Sequence, residues 1–155
     1  MSHITIWRIT PRTYLDTAFS GIGAKEYGGR FNSRGHRVVY TAESIALALL
    51  ELLVRIHDPE SIVDYICIPA TFDTKLIKTI SLESLPKDWN RHPSSLVSKQ
   101  IGNAWLQEKS SPVLRVPSVF VPLEHNYLLN PLHKDFKKIS IGKAISVPFD
   151  KRLVK

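Results

Sequence analysis

Short runs rich in β-branched residues recur along the whole chain, and their order relative to the helices limits the fold more than any other feature. The sequence predicts strands over 4–9, 37–41, 61–72, 78–82, 113–121 and 139–147, and a short one over 152–154. It predicts helices over 43–56, with Thr41 as N-cap, and over 94–108, with Ser94 or Ser95 as N-cap. Residues 18–35 and 124–135 are predicted to be loops. Because the strands outnumber the helices and do not alternate regularly with them, an α+β fold is expected.

The chain is predicted to be one domain spanning residues 1–155, because no repeat or Gly/Ser-rich linker divides it. Its net charge is +7 and its pI about 9.6. This charge fits a solvated basic face, or an anionic partner: nucleic acid, an acidic protein or a phosphate-bearing small molecule. The single cysteine, Cys67, can form no intramolecular disulfide, and no Cys/His spacing indicates a metal site. Since no apolar run could span a bilayer and no signal peptide is recognisable, a cytoplasmic protein without membrane contact is expected.

A glycine-rich segment carries the first candidate site residue, Arg30. Five of the seven glycines lie between residues 18 and 35, and Arg30 and Asn32 follow the pair Gly28-Gly29. Such a segment lets the backbone approach a ligand closely, and a guanidinium suits a diphosphate. It matches neither a Walker loop nor the dinucleotide-binding fingerprint. A flexible hairpin whose arginine pairs with a surface carboxylate fits the spacing equally well.

The predicted helix 43–56 carries the second candidate, Glu51. Its neighbours are mostly apolar, and Ser44, Glu51 and Arg55 are spaced seven and four residues apart, which places them on one face. An exposed i,i+4 ion pair between Glu51 and Arg55 is the simpler interpretation. In the alternative, this narrow polar face lines a cleft, where a carboxylate could stabilise a sugar cation.

Two further side chains are weaker candidates when each is considered alone. Tyr40 ends a predicted strand, where it could pack in the core or stack on a flat cationic ring. Ser118 follows Pro117 without the surroundings of a serine-hydrolase nucleophile. His125 and His133 are interpreted as loop histidines rather than as catalytic bases.

Taken together and in order, these motifs resemble the RES domain found in the toxins of bacterial toxin–antitoxin pairs. The resemblance covers residues 7–136 and rests on 28–32 (GGRFN), 39–44 (VYTAES), 48–51 (ALLE), 116–118 (VPS) and 124–133 (EHNYLLNPLH). The family is named for an arginine, a glutamate and a serine, which correspond here to Arg30, Glu51 and Ser118. Tyr40 corresponds to their usual aromatic companion.

The resemblance implies an ADP-ribosyltransferase-like fold, in which a split mixed sheet with flanking helices surrounds an NAD cleft. It implies a toxin that depletes NAD by phosphorolysis or hydrolysis, so that NAD is substrate and no cofactor is expected. Arg30 would hold the diphosphate and Tyr40 would pack on nicotinamide. Glu51 would stabilise the ribose cation, and Ser118 would orient either the ribose or Glu51 by hydrogen bonding. Asn32 and Asn126 are further expected ligand contacts. A cognate Xre-like antitoxin is the expected partner, in a hetero-oligomer, with inorganic phosphate as a candidate co-substrate.

Three other functions stay open at this point. The chain could be an ADP-ribosyltransferase that modifies a specific host protein. Its basic charge could instead indicate a nucleic-acid-binding protein or an RNase, although no helix-turn-helix, zinc or RNP-type pattern occurs and no direct nucleic-acid contact is expected. It could also be an inactive interaction protein that has retained the fold.

Overall fold

A computed structural model of the protein describes residues 2–154 and has, within them, eight β-strands and three α-helices. The α+β class is therefore confirmed. The helices are α1 (Ile22–Tyr27), α2 (Ile45–Leu53) and α3 (Leu96–Glu108). The strands are β1 (His3–Pro11), β2 (Val39–Ala42), β3 (Tyr65–Asp73), β4 (Ile77–Thr79), β5 (Val113–Pro117), β6 (His125–Leu129), β7 (Ser140–Ile141) and β8 (Ile145–Ser146).

All eight strands belong to one mixed sheet, in the order β4-β5-β6-β2-β1-β3-β7, with β8 also paired to β3. The pair β4–β5 is parallel and the others are antiparallel. β1 pairs with β3 along its whole length, whereas within residues 2–154 β1 and β2 share one residue pair, Trp7 with Ala42. The sheet is thus joined weakly at its centre, and the predicted mixed, split architecture is confirmed.

The central strands are buried on both faces because a separate apolar cluster covers each side of the sheet. Leu114 and Leu128 face a cluster that contains Phe31 and Trp105. Their strand neighbours face the opposite cluster, which contains Ile6, Val39, Phe72, Val113, Tyr127 and Leu129. Strands buried on both faces read as apolar runs without alternation, so the periodicity of the sequence does not mark them clearly.

Three predicted elements differ from the structure. Residues 124–135, predicted as a loop, contain β6, a central strand whose apolar half (Tyr127, Leu128, Leu129) fills both clusters. The glycine-rich segment contains the short helix α1. Residues 152–154 form no strand, because Lys151–Leu153 is a 3₁₀ turn whose N-cap Asp150 accepts a hydrogen bond from the Arg152 amide.

One of the two predicted helix N-caps is wrong. Ser44, and not Thr41, caps α2 by accepting a hydrogen bond from the Leu47 amide, since Thr41 is a β2 residue. Ser95 caps α3 as predicted. The buried side of α3 includes Gly102, while Leu96 and Val97 in its first turn are exposed. None of the helices within residues 2–154 has the length and apolar character needed to cross a membrane.

Candidate active site

The carboxylate of Glu51 points toward the sheet because of its place on α2. Leu47 and Ala48 are the buried residues of this helix. Glu51 follows them by four and three residues, so it lies on the same face. Helix α2 packs against β1 and β2. The apolar face that anchors the helix therefore also carries its one carboxylate to the sheet.

Two donors from distant parts of the chain hold the Glu51 carboxylate. Ser118 Oγ, just after β5, donates to Oε2 at 2.9 Å. Asn126 Nδ2, on β6, donates to Oε1 at 2.8 Å and also reaches the Thr41 carbonyl oxygen at 3.2 Å. We call Glu51, Ser118 and Asn126 the carboxylate cluster. Since each oxygen has its own donor, the carboxylate is held in one orientation.

Ser118 is itself held by the loop that connects β5 and β6. It is fully buried, and its Oγ accepts hydrogen bonds from the amides of Phe120 at 3.2 Å and Val121 at 3.3 Å. Its own amide donates to the Glu124 carbonyl oxygen at 2.9 Å. With two amides donating to its oxygen, the hydroxyl proton is directed to Glu51. Ser118 therefore orients the carboxylate and is not arranged as a nucleophile.

The electrostatic surroundings of Glu51 act in opposite directions. Burial raises the pKa of Glu51, while the hydrogen bonds from Asn126 and Ser118 and the charge of Arg55 lower it, and the net shift is upward. No salt bridge within residues 2–154 joins Glu51 to Arg55. The predicted surface ion pair is thus wrong, because α2 ends at Leu53 and Arg55 lies beyond the helix.

A second cluster is built from the segment that follows the glycines. Tyr40 Oη donates to Asn32 Oδ1 at 2.6 Å and accepts from the Phe31 amide at 3.1 Å. Gly29 is needed beside this hydroxyl, because an added Cβ would lie 2.6 Å from Tyr40 Oη. Arg30 Nη1 donates to the carbonyl oxygens of residues 89 and 91 at 3.0 and 2.9 Å. We call residues 29–32 together with Tyr40 the loop cluster.

Asn32 has an internal role in this cluster. It is fully buried, and its Nδ2 donates to the carbonyl oxygens of Ala24, Ser33 and His36 at 2.9, 3.1 and 3.3 Å. Its Oδ1 is bound by Tyr40. Asn32 thus stabilises the turn that presents Arg30, and all its polar atoms have partners inside the protein.

The two clusters lie side by side on one face of the sheet. Alternate residues of a strand share a face, so Tyr40 and Ala42 of β2 point the same way, about 7 Å apart. Asn126 is the register partner of Ala42, and Leu128 that of Tyr40. The charge of Arg30 lowers the pKa of Tyr40, although burial raises it overall. The structure therefore brings Arg30, Tyr40, Glu51, Ser118 and Asn126 into one region.

Sequence reasoning missed Arg8, which lies on β1 beside this region. Its Nη1 donates to the Tyr40 carbonyl oxygen at 3.2 Å, across the weak join between β1 and β2. The available signal was the one arginine in the predicted strand 4–9, which has no other charged residue. His133 is buried, accepts from the Asp135 amide and contacts the Lys109 carbonyl oxygen, a structural role. Within residues 2–154, no group of three His, Cys, Asp or Glu side chains could hold a metal ion.

Comparison with known proteins identifies the family. The model of the RES domain matches residues 5–150. "Toxin Res" of Photorhabdus laumondii subsp. laumondii is 40% identical over 151 residues, covering 97% of each chain. "Prs ADP-ribosylating toxin" of Sphingobium sp. strain YBL2 is 35% identical over 156 residues, again covering 97% of each. The chain therefore belongs to the RES domain family, and these relatives are named as toxins.

A solved structure supports the fold. The Mycobacterium tuberculosis MbcT–MbcA toxin–antitoxin complex contains a chain that superposes with a TM-score of 0.76, at 15% sequence identity. The match covers 94% of this chain and 85% of that one. At this identity the likeness concerns the fold, and it extends over nearly the whole of residues 2–154.

Proposed function

We propose that the protein is the toxin of a toxin–antitoxin pair and that it cleaves the nicotinamide–ribose bond of NAD. The RES family match and the toxin names of full-length relatives support the toxin assignment. The reaction is supported by one observation above all. A carboxylate is held by two donors on the same face of the sheet as the tyrosine and the arginine that the family motif pairs with it.

The carboxylate cluster suits the stabilisation of a ribose cation. Nicotinamide is positively charged within NAD and departs as a neutral molecule, so the leaving group needs no general acid. Positive charge then develops on the ribose, and a preoriented carboxylate stabilises such charge most strongly in a site that excludes water. Glu51 would serve as this group in its ionised form. Ser118 and Asn126 would keep its oxygens aimed at the ribose.

The loop cluster would bind NAD on both sides of the ribose, at the diphosphate and at nicotinamide. Arg30 commits Nη1 to two carbonyl oxygens, which leaves Nη2 and Nε for a diphosphate oxygen. The ring of Tyr40 would stack on the nicotinamide cation, an interaction worth about 0.5–2 kcal/mol. Its hydroxyl is already bound to Asn32 and to the Phe31 amide. We therefore assign Asn32 to positioning Tyr40 and not to contacting NAD.

A second candidate reaction is ADP-ribosylation of a protein, favoured by the relative named "Prs ADP-ribosylating toxin". Both reactions share the bond cleavage and differ in the acceptor: water, phosphate or a protein side chain. NAD labelled in the adenylate, incubated with the protein in a bacterial extract, separates them. Label on a discrete protein band supports the transferase, and free ADP-ribose or its phosphate ester supports depletion.

We further propose that a cognate Xre-like antitoxin neutralises the protein in the cytoplasm. The structural neighbour was solved as a toxin–antitoxin complex, and the net charge of +7 suits an acidic partner. Coexpression with the product of an adjacent reading frame tests this. Rescue of growth and copurification support the proposal, and continued growth arrest in the presence of the folded neighbour contradicts it.

Induction in a bacterial host, with NAD measured over time, tests the reaction. We expect NAD to fall before growth stops with the unchanged sequence, and to stay level with Glu51→Gln or Arg30→Ala. Glu83→Gln, which alters an exposed carboxylate, is the matched control and should deplete NAD normally. Growth arrest at constant NAD would contradict the proposal, and tight RNA binding in that case would support the nucleic-acid alternative.

A further inference from the structure

Lys99 of α3 binds the base of the turn that carries Arg30. Its ammonium group donates to the carbonyl oxygens of Gly29 and Asn32 at 2.5 and 3.4 Å. The same two residues close the turn by pairing with each other. The Gly29 amide donates to the Asn32 carbonyl oxygen at 3.0 Å, and the Asn32 amide donates to the Gly29 carbonyl oxygen at 3.4 Å. One cation therefore holds both ends of the turn in which Arg30 is the second residue.

The helix that carries Lys99 is itself in close contact with this segment. An added Cβ at Gly102 would lie 1.7 Å from the Phe31 carbonyl oxygen, so the backbones of α3 and of the turn touch. Asn103 Oδ1 accepts from the Ser33 amide at 3.0 Å, and its Nδ2 donates to Ser33 Oγ at 2.8 Å. Residues three and four apart on a helix share a face, so Lys99 belongs to the face of α3 that docks on the turn.

The turn brings together two positive charges without an acidic partner. Arg30 Nη1 donates to the carbonyl oxygens of residues 89 and 91, and Lys99 likewise donates to carbonyl oxygens. No salt bridge within residues 2–154 includes either cation. Burial lowers the pKa of Arg30, so its charge has lost part of its hydration. Two such charges with neutral partners favour a ligand with two negative charges.

The structure of the turn alone does not require a cation at position 99. The carbonyl oxygens of Gly29 and Asn32 each already accept a hydrogen bond from the amide of the other residue. A neutral donor on α3 could add a second hydrogen bond without placing a like charge beside Arg30. That repulsion costs free energy in the empty protein and is offset when an anion binds to Arg30. The charge of Lys99 is therefore better explained by ligand binding than by the fold.

We propose that Lys99 is a positioning residue of the diphosphate-binding site, which fixes the turn so that the Arg30 guanidinium faces the ligand. The identity of the ligand rests on the proposed function, since the diphosphate of NAD carries one negative charge on each phosphate. Lys99 commits its ammonium group to the carbonyl oxygens of the turn. It thus acts through Arg30 and is not a catalytic residue.

Binding of ADP-ribose to the purified full chain tests this role without NAD turnover, because ADP-ribose keeps the diphosphate and lacks nicotinamide. We expect calorimetry to show binding weakened about tenfold in Lys99→Gln, the effect of one charge-assisted hydrogen bond. Lys99→Arg, which keeps the charge, should bind more tightly than Lys99→Gln. Lys75→Gln, at an exposed lysine outside the site, is the matched control and should bind as the unchanged protein does.

A double-mutant cycle shows whether Lys99 acts through Arg30. In an Arg30→Lys background, which has lost the guanidinium, Lys99→Gln should weaken ADP-ribose binding by less than about threefold, because interacting residues are not additive. A merely structural role would lower the Tm of Lys99→Gln without this coupling in binding. A loss of about tenfold in both backgrounds would mean that the two residues act independently, and it would overturn the proposal.

Hydrogen exchange at the amides of Gly29 and Asn32 reports on the turn without any ligand. We expect faster exchange in Lys99→Gln and the original rate in Lys75→Gln. Unchanged exchange in Lys99→Gln, or ADP-ribose binding as tight as that of the unchanged protein, overturns the proposal whatever the reaction is. If the unchanged protein binds no ADP-ribose while exchange is faster in Lys99→Gln, the proposed function fails. The ligand-binding role of Lys99 then fails with it, and its contact with the turn stands.

Discussion

The loop cluster and the carboxylate cluster share one face of the sheet but are built in different ways. The loop cluster comes from residues 29–40, and its neutral groups are hydrogen-bonded to one another. The carboxylate cluster gathers residues 51, 118 and 126, and it holds a group whose charge burial disfavours. The loop cluster is arranged for rigidity. The second keeps a reactive charge in place at a cost in stability, as functional sites commonly do.

The largest effect on stability is expected at the support of the loop cluster. In Gly102→Ala the new Cβ would lie 1.7 Å from the Phe31 carbonyl oxygen, so α3 must move away from the segment that carries Arg30. We expect a loss of about 3 kcal/mol in the free energy of unfolding, measured by urea denaturation. Gly23→Ala is the control, because nothing lies within 4 Å of its added Cβ. Equal stability of the two variants would contradict the packing described.

Within the loop cluster, Tyr40→Phe should separate the hydroxyl from the ring. It leaves Asn32 Oδ1 and the Phe31 amide without their partner, which should cost about 1–3 kcal/mol in unfolding free energy. Because the ring remains to stack on nicotinamide, the KM for NAD should stay close to that of the unchanged protein even though the stability falls. Tyr27→Phe, at a tyrosine that is 76% exposed, should leave both unchanged. A Tyr40→Phe protein as stable as the unchanged one would show that the hydrogen bonds are not made.

Substitution in the carboxylate cluster should increase stability slightly, whereas substitution in the loop cluster lowers it, because the variant removes a buried charge. Burial raises the pKa of Glu51 above its ordinary value of 4.5, so between the two values the folded state binds the proton more tightly than the unfolded state. Stability is then lost as the pH rises through that window. The difference in Tm between Glu51→Gln and the unchanged protein should grow in favour of the variant from pH 4 to pH 7. A Tm difference that shrinks from pH 4 to pH 7 would contradict a raised pKa of Glu51 in the folded state.

Ser118→Ala should produce the smallest effect on activity, a displacement of the pH profile. The hydroxyl lowers the pKa of Glu51 by hydrogen bonding, so its removal should move the acidic limb of the activity profile to higher pH. Activity should fall at pH 5–6 more than at pH 8, as measured by nicotinamide release. Ser110→Ala, at an exposed serine, should keep the original profile. An unshifted limb in Ser118→Ala would indicate that Ser118 does not act through Glu51.

The same difference between the clusters explains how far the sequence alone could predict the site. Arg30, Asn32 and Tyr40 lie within the thirteen residues 28–40, which begin with Gly28 and Gly29, so local composition already marked them. Ser118 and Asn126 meet Glu51 only through the pairing of β2, β5 and β6. Their part in the site followed from the family motif and not from spacing.

The errors in the predicted fold have physical causes of the same kind. The spacing of Glu51 and Arg55 imitates a surface ion pair, because no Gly or Pro between them marks the end of α2 at Leu53. β6 was predicted as a loop, because polar residues flank an apolar core that is buried on both faces. β1, β3 and α3, which have strong local signals, were predicted correctly.

Release of nicotinamide from NAD by the purified protein tests the central claim most directly. The account predicts nicotinamide release in many turnovers per protein chain by the unchanged sequence. It predicts a loss of at least about 100-fold in Glu51→Gln, as is typical when a group that stabilises transition-state charge is removed. The Glu51→Gln protein should remain folded, and Glu83→Gln should retain full activity. Release by Glu51→Gln at the rate of the unchanged protein, or no release by either, would contradict the account.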